Sequence, residues 1–235
     1  MQEKGTLYVC PTPIGNLKDI TLRTLDVFRE VSYIACEDKR RALKLLNTYD
    51  IKKPLILYNE HTKNKENSTL ISLLQSGNDV ALTCDAGMPG IADSGYELIK
   101  LCIDSGIKVV TLPGPSAILT AIVGSGLKAQ NFIFINFLPR KKGQIVNLLT
   151  KLKDLGFTIC AFESPYRLLK TLEIMYNFDS NLYVSVCREV SKIHEEFVRG
   201  NIDSVYTYFK EKKEIKGEIT IVFKFMEADE NEKRL

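Results

Sequence analysis

Short apolar runs rich in β-branched residues recur along the chain, each followed by a longer amphipathic segment, and this alternation limits the fold more than any other feature. In the first half the pattern predicts strands over 7–10, 33–36, 55–58, 80–84 and 109–112, separated by helices over 21–30, 40–49, 67–75 and 96–104. The strands are continuously apolar rather than alternating, which is the signature of a parallel sheet covered by helices on both faces. Ser105-Gly106 gives the last of these helices an ordinary glycine stop.

Punctuation becomes dense at Pro113-Gly114-Pro115-Ser116, where two prolines and a glycine suit a change of chain direction. The β/α rhythm then resumes. Strands are expected over 132–137, 158–162, 182–187, 195–199 and 217–225, with helices over 117–123, 144–153, 166–176 and 203–212. The fold class expected is therefore α/β, with two α/β domains over residues 1–115 and 116–227. An acidic tail over 228–235 is expected to fray.

Composition narrows the function classes. No stretch reaches the roughly 20 apolar residues of a membrane-spanning helix, and the apolar run beginning at Leu7 is too short for a signal-peptide core. A cytoplasmic protein is expected. The six cysteines (10, 36, 84, 102, 160 and 187) form no CxxC pair and lie away from His61 and His194, so they read as buried thiols with no metal site. Neither histidine sits in a pattern suggesting a hydrolytic triad, and His194 reads as a surface residue.

The net charge of +3 is small, but it is unevenly spread. Between Glu37 and Lys65 eight basic residues accompany four acids, and Arg140-Lys141-Lys142 follows a strand. Such patches either track a phosphate backbone or form solvated helix faces.

Four loops gather glycine, proline and small polar residues directly after strands, where open α/β sheets bind ligands. They are Cys10-Pro-Thr-Pro-Ile-Gly-Asn16, the segment from Asp85 to Gly95, Leu112-Pro-Gly-Pro-Ser-Ala117 and Glu163-Ser-Pro-Tyr-Arg167. None is GxGxxG or a P-loop. Asp85 either accepts hydrogen bonds from a ribose hydroxyl or amine, or satisfies amides within its own turn. Glu37-Asp38-Lys39-Arg40 opens a basic helix, where acids at a helix start can simply favour the macrodipole. Arg188-Glu189 follows another strand.

The order of these pieces is more informative than any one alone. PTPIGNLKDIT, ACEDKR, DAGMPGIADSG, LPGPSA, FLPRKKG, FESPYRLL, CREVSK and KGEITIVF resemble, in sequence, the bacterial 16S ribosomal RNA 2′-O-ribose methyltransferases of the tetrapyrrole methylase (class III) superfamily. The resemblance runs from about Leu7 to Phe225. It implies two α/β domains, usually in a homodimer, with S-adenosylmethionine in a cleft between them, and a cytidine of the decoding region of 16S rRNA in the small ribosomal subunit as target. Carried over by position, it implies cofactor contacts from Pro13, Ile14, Gly15, Asp85, Ala86, Gly87, Met88, Ser116, Ala117, Phe137, Leu138, Phe162, Gly217 and Glu218. Lys39, Met88, Gly90, Ser94 and Tyr166 depart from the commoner family pattern, and Lys39 and Tyr166 bear on RNA contact.

Transfer of a methyl group from a sulfonium to a ribose hydroxyl calls for alignment and a base. Base candidates are Glu37, Asp38, Glu163 and Glu189, with Arg40 or Arg188 orienting a phosphate or carboxylate. Lys39, Arg40, Arg41, Lys44, Arg140, Lys141 and Lys142 are expected to meet RNA backbone. Removing Lys39, Arg40 and Arg41 is expected to weaken RNA binding and leave cofactor affinity nearly unchanged. Two alternatives stay open: a precorrin-type C-methyltransferase on the same fold, whose first loop usually resembles GxGPGD, and a non-catalytic RNA-binding module of ribosome assembly.

Overall fold

The computed structural model describes residues 3–226 and divides into two compact units, one ending at Ser116 and the other beginning at Ala117. The tail expected to fray lies outside the described residues.

The first unit runs β1 (Thr6–Val9), α1 (Leu22–Glu30), β2 (Tyr33–Cys36), α2 (Lys39–Thr48), β3 (Leu55–Leu57), α3 (Lys63–Gln75), β4 (Val80–Leu82), α4 (Tyr96–Asp104) and β5 (Lys108–Thr111). Its sheet has the order β3-β2-β4-β1-β5 and is parallel throughout. The continuous apolarity of the strands has a direct cause: successive residues feed two different cores. In β2, Ile34 packs with Leu25, Phe28, Leu45 and Leu46, while its neighbour Ala35 packs with Tyr58, Leu70, Leu74 and Leu98 on the other side. Each buried leucine or phenylalanine contributes roughly 1.5–3 kcal/mol by leaving water.

Local signals set the helix ends. Thr21 caps α1 through its hydroxyl, which accepts from the amide of Thr24 at 3.1 Å. Gly106 sits at φ 62 after α4, where a side chain would be strained. α3 begins at Lys63, four residues before the expected start, because Asn59 and Thr62 build a turn that leads into it.

The second unit runs α5 (Ala117–Gly124), β6 (Phe132–Phe137), α6 (Lys142–Lys153), β7 (Thr158–Glu163), α7 (Leu168–Phe178), β8 (Leu182–Arg188), β9 (Glu196–Asn201), α8 (Ile202–Glu211) and β10 (Ile219–Phe225). Its sheet is mixed, in the order β6-β7-β10-β8-β9: β6 and β7 are parallel, and the remaining pairs are antiparallel. The link from β8 to β9 is too short for a crossover helix, so that pair forms a hairpin. α6, α7 and α8 bury Leu149, Leu172, Met175, Val205 and Phe209 against Ile159, Ala161, Val184, Val186 and Ile221 of the sheet. Several expected boundaries move by one or two residues. α7 starts at Leu168 because Ser164–Arg167 forms a turn, and β10 starts at Ile219 because Gly217 has φ 93.

All six cysteines are buried and free. Burial pushes the Cys10 and Cys84 thiols far up, so neither is a thiolate nucleophile. Among the described residues no helix is long and apolar enough to cross a membrane.

Candidate active site

In the first unit, three of the four punctuated loops meet. Thr12 and Gly87 exchange backbone hydrogen bonds of 2.9 and 3.0 Å, joining the loop after β1 to the loop after β4. The Thr12 hydroxyl donates to the carbonyl of Cys84 at 3.0 Å. Gly87 has φ 81, and a Cβ there would meet Ile14 at 3.6 Å, so backbone geometry rather than space requires glycine. The loop after β5 packs on the first: a Cβ on Gly114 would stand 2.5 Å from the Pro11 ring. Pro13, Ile14, Gly15 and Asp85–Met88 are thereby held as one set.

The carboxyl ends of β2 and β4 carry an acidic group. Glu37 is half-buried, and the backbone amides of Asp85 and Asp38 favour the ionised forms of Glu37 and Asp85 respectively. Burial, reinforced by the like charges of Asp93 and Asp85, pushes the Glu37 carboxyl up. Burial also raises Asp85, partly offset by the Arg41 guanidinium 3.4 Å away. Asp93 was not singled out from sequence. Its signal was its place in the same glycine-rich loop as Asp85.

Asp38 has a structural task. Its carboxylate caps α2, accepting from the amide of Arg40 at 2.8 Å and from the Arg40 guanidinium at 2.7 Å, which pulls it down to about 2. The Arg40 side chain is 90% exposed. Lys39, Arg41 and Lys44 share the exposed side of α2, opposite buried Ala42, Leu45 and Leu46. His61 and His194 are both exposed.

In the second unit Glu163 is fully buried and surrounded by donors: the Ser164 amide at 2.7 Å, the Thr171 hydroxyl at 2.6 Å and Arg167 at 3.3 Å. The same Arg167 nitrogen donates to the carbonyls of Leu138 and Pro139, each at 2.7 Å. One guanidinium therefore fastens the loop after β7 to the loop after β6. Leu138 buries its side chain and leaves its backbone at the loop, whereas Phe137 is exposed with its ring 5.6 Å from that of Phe162. Arg140, Lys141 and Lys142 follow directly, exposed at the N-terminus of α6, where the helix dipole disfavours cations and favours anions.

Glu189, Gly217 and Glu218 also come together. Glu189 sits at φ 53 and accepts from the amide of Glu218 at 2.8 Å and from Lys192 at 2.8 Å. Burial, which would raise its pKa, is outweighed by these donors, and the carboxyl is lowered. Lys192, which reaches Glu218 at 3.0 Å as well, was missed in the sequence, although the CREVSK segment contains it. Arg188 pairs with Glu196 at 2.8 Å. Ser116 ends the first unit and Ala117 opens α5.

Residues 6–206 match the model of the tetrapyrrole (corrin/porphyrin) methylases. The chain is 45% identical over 217 residues to ribosomal RNA small subunit methyltransferase I of Hydrogenobaculum sp. (strain Y04AAS1), covering 92% of this chain and 94% of that protein. It is 45% identical over 218 residues to the protein of that name from Thermotoga maritima, covering 93% and 97%. With the Bacillus subtilis (strain 168) protein of that name it shares 42% over 230 residues, covering 98% and 77%. Among solved structures it is similar to a diphthine synthase (TM-score 0.73, 16% identity, 93% and 89% covered). It is similar also to the uroporphyrin III C-methyl transferase from Thermus thermophilus (TM-score 0.65, 16% identity, 93% and 97% covered). At that identity these two speak for the fold alone. The match over most of the chain and the near-complete alignment with its relatives lead to one conclusion: the chain belongs to the tetrapyrrole (corrin/porphyrin) methylases and, within them, to the ribosomal RNA small subunit methyltransferase I family.

Proposed function

We propose that this protein transfers a methyl group from S-adenosylmethionine to small-subunit ribosomal RNA, and that the acceptor is the 2′-hydroxyl of a cytidine in the decoding region of 16S rRNA. The observation that carries the reading is the welding of the first loop to the fourth-strand loop through Thr12 and Gly87 at the carboxyl ends of a parallel sheet. The relatives named above supply the substrate class.

The donor set suits a cationic adenosyl cofactor. Glu37, Asp85 and Asp93 create a negative region that favours a sulfonium and an amino group, and Asp85 suits a hydroxyl donor. Pro13, Ile14, Gly15, Asp85, Ala86, Gly87, Met88 and Ser116 of the first unit would hold it. When bound, the cofactor supplies an electrophilic methyl group.

Glu37 is the base in this reading, taking the ribose proton on a carboxylate made more basic by burial and neighbouring acids. The other carboxylates are occupied: Asp38 caps a helix, Glu163 anchors two loops, and Glu189 is neutralised by Lys192. Lys39, Arg40, Arg41 and Lys44, with Arg140, Lys141 and Lys142, hold the RNA backbone electrostatically. The reaction is cytoplasmic and the working form a homodimer.

The test is to incubate the purified protein with labelled S-adenosylmethionine and small subunits from cells lacking it, then map the label. Label on a cytidine 2′-oxygen is expected. Label on a base, or transfer only to tetrapyrroles, overturns the assignment.

A further inference from the structure

Tyr166 is 95% exposed, yet it stands in one of the most firmly held turns of the second unit. Its neighbour Arg167 points the other way and spends one nitrogen on the Leu138 and Pro139 carbonyls and on Glu163. Glu163, fully buried, holds the Ser164 amide and the Thr171 hydroxyl. The turn therefore cannot fold Tyr166 inward without breaking one buried and several part-buried hydrogen bonds, the buried one alone leaving an unsatisfied group at about 1–3 kcal/mol.

The loop to which this turn is tied is cationic. Arg167 ties the turn to Leu138 and Pro139, and the residues that follow, Arg140, Lys141 and Lys142, are exposed and in no ion pair among the described residues. Lys216, bound to Glu214 at 2.8 Å, lies within electrostatic reach of the Tyr166 phenol. A lone exposed aromatic means little. A rigidly presented one on a turn tied to a loop of free cations has the composition of a single-stranded nucleic-acid platform, in which phosphates meet the cations and a base stacks on the ring.

We infer that Tyr166 is a stacking platform for an unpaired base of the RNA substrate, flanked by phosphate contacts from Arg140, Lys141 and Lys142. The inference rests on the RNA-methyltransferase reading and specifies how the substrate is gripped.

The chain contains no tryptophan, so Tyr166→Trp installs a single fluorescent reporter at the site. Its emission is expected to be quenched on titration with an unpaired fragment of 16S rRNA and unchanged by S-adenosylmethionine alone. Tyr166→Ala is expected to weaken RNA binding and raise KM for RNA roughly 5- to 50-fold, with cofactor affinity unchanged, while Tyr166→Phe stays within about 2-fold of the parent. Saturating RNA binding without quenching, wild-type affinity in Tyr166→Ala, or full rescue by Tyr166→Leu overturns the inference. If the unaltered protein methylates rRNA while these variants show no effect, only the stacking role fails. If it methylates no rRNA, the underlying reading fails.

Discussion

Arg41 of α2 lies 3.4 Å from Asp85 in the loop after β4, so a residue expected on the RNA face is tied to one expected to contact the cofactor. This link revises the expectation that the basic residues of α2 can be removed without consequence for the cofactor.

Arg41→Ala is therefore expected to weaken S-adenosylmethionine binding about 2- to 5-fold, the scale of a partly exposed ion pair. Lys39→Ala with Lys44→Ala should leave that affinity untouched while reducing the salt dependence of RNA binding by about two phosphate contacts. Calorimetry for the cofactor and salt-titrated RNA binding read the two effects separately. Equal loss of cofactor affinity in both variants would show that α2 acts structurally.

Asp93 stands behind Glu37 as a like charge. Glu37 must be ionised to accept a proton, so activity should rise with pH through its raised pKa. Asp93→Asn removes one cause of that elevation, and the acidic limb of the kcat profile is expected to move to lower pH. Glu37→Gln should lower kcat by roughly 10²- to 10⁴-fold, with only a smaller loss of cofactor affinity because Asp85 and Asp93 keep the region negative. A limb that stays in place in Asp93→Asn assigns it to another group.

Gly217→Ala tests the close approach in the second unit. At φ 93, with an added Cβ 2.5 Å from the Glu189 side chain, the substitution should cost about 1–3 kcal/mol in urea unfolding. Gly143→Ala is the control. It lies within α6 with nothing within 4 Å of the added carbon and should be neutral or stabilising.

Glu196 binds Lys212 at 2.6 Å, Tyr208 at 2.5 Å and Arg188 at 2.8 Å. Burial would raise its pKa, but these donors outweigh it and hold the carboxyl at about 2. Its contribution is present above the ordinary glutamate range and is lost as pH falls from there toward 2. Glu196→Gln should destabilise by about 2 kcal/mol at pH 7 and by much less near pH 2, as followed by denaturant titration at each pH. A gap independent of pH would assign the loss to packing.

The parallel sheet was legible because strands such as Ile34-Ala35 feed two cores and so carry no polar alternation. The antiparallel half of the second sheet was not, since strand direction depends on connection length and partner choice rather than on residue pattern. The loops after β1 and β4 were legible as punctuation, but their joining through Thr12 and Gly87 is backbone hydrogen bonding, to which side chains give no clue. Glu163 shows the same limit: in sequence it is an acid after a strand, and only burial beside Thr171 and Arg167 reveals an anchor.

The position of β10 has a consequence for synthesis. Though it follows every other strand among the described residues, it lies between β7 and β8 at the heart of the second sheet. A nascent chain that has not yet released Ile219–Phe225 can hold β6 with β7 and β8 with β9, but it lacks the strand that hydrogen-bonds the two pairs into one sheet, and both inner edges stand open to foreign strands. The first unit contains all of its own strands and is free to fold earlier. Maturation of the second thus waits on one late segment, making the interval before β10 emerges the one in which a chaperone would matter most.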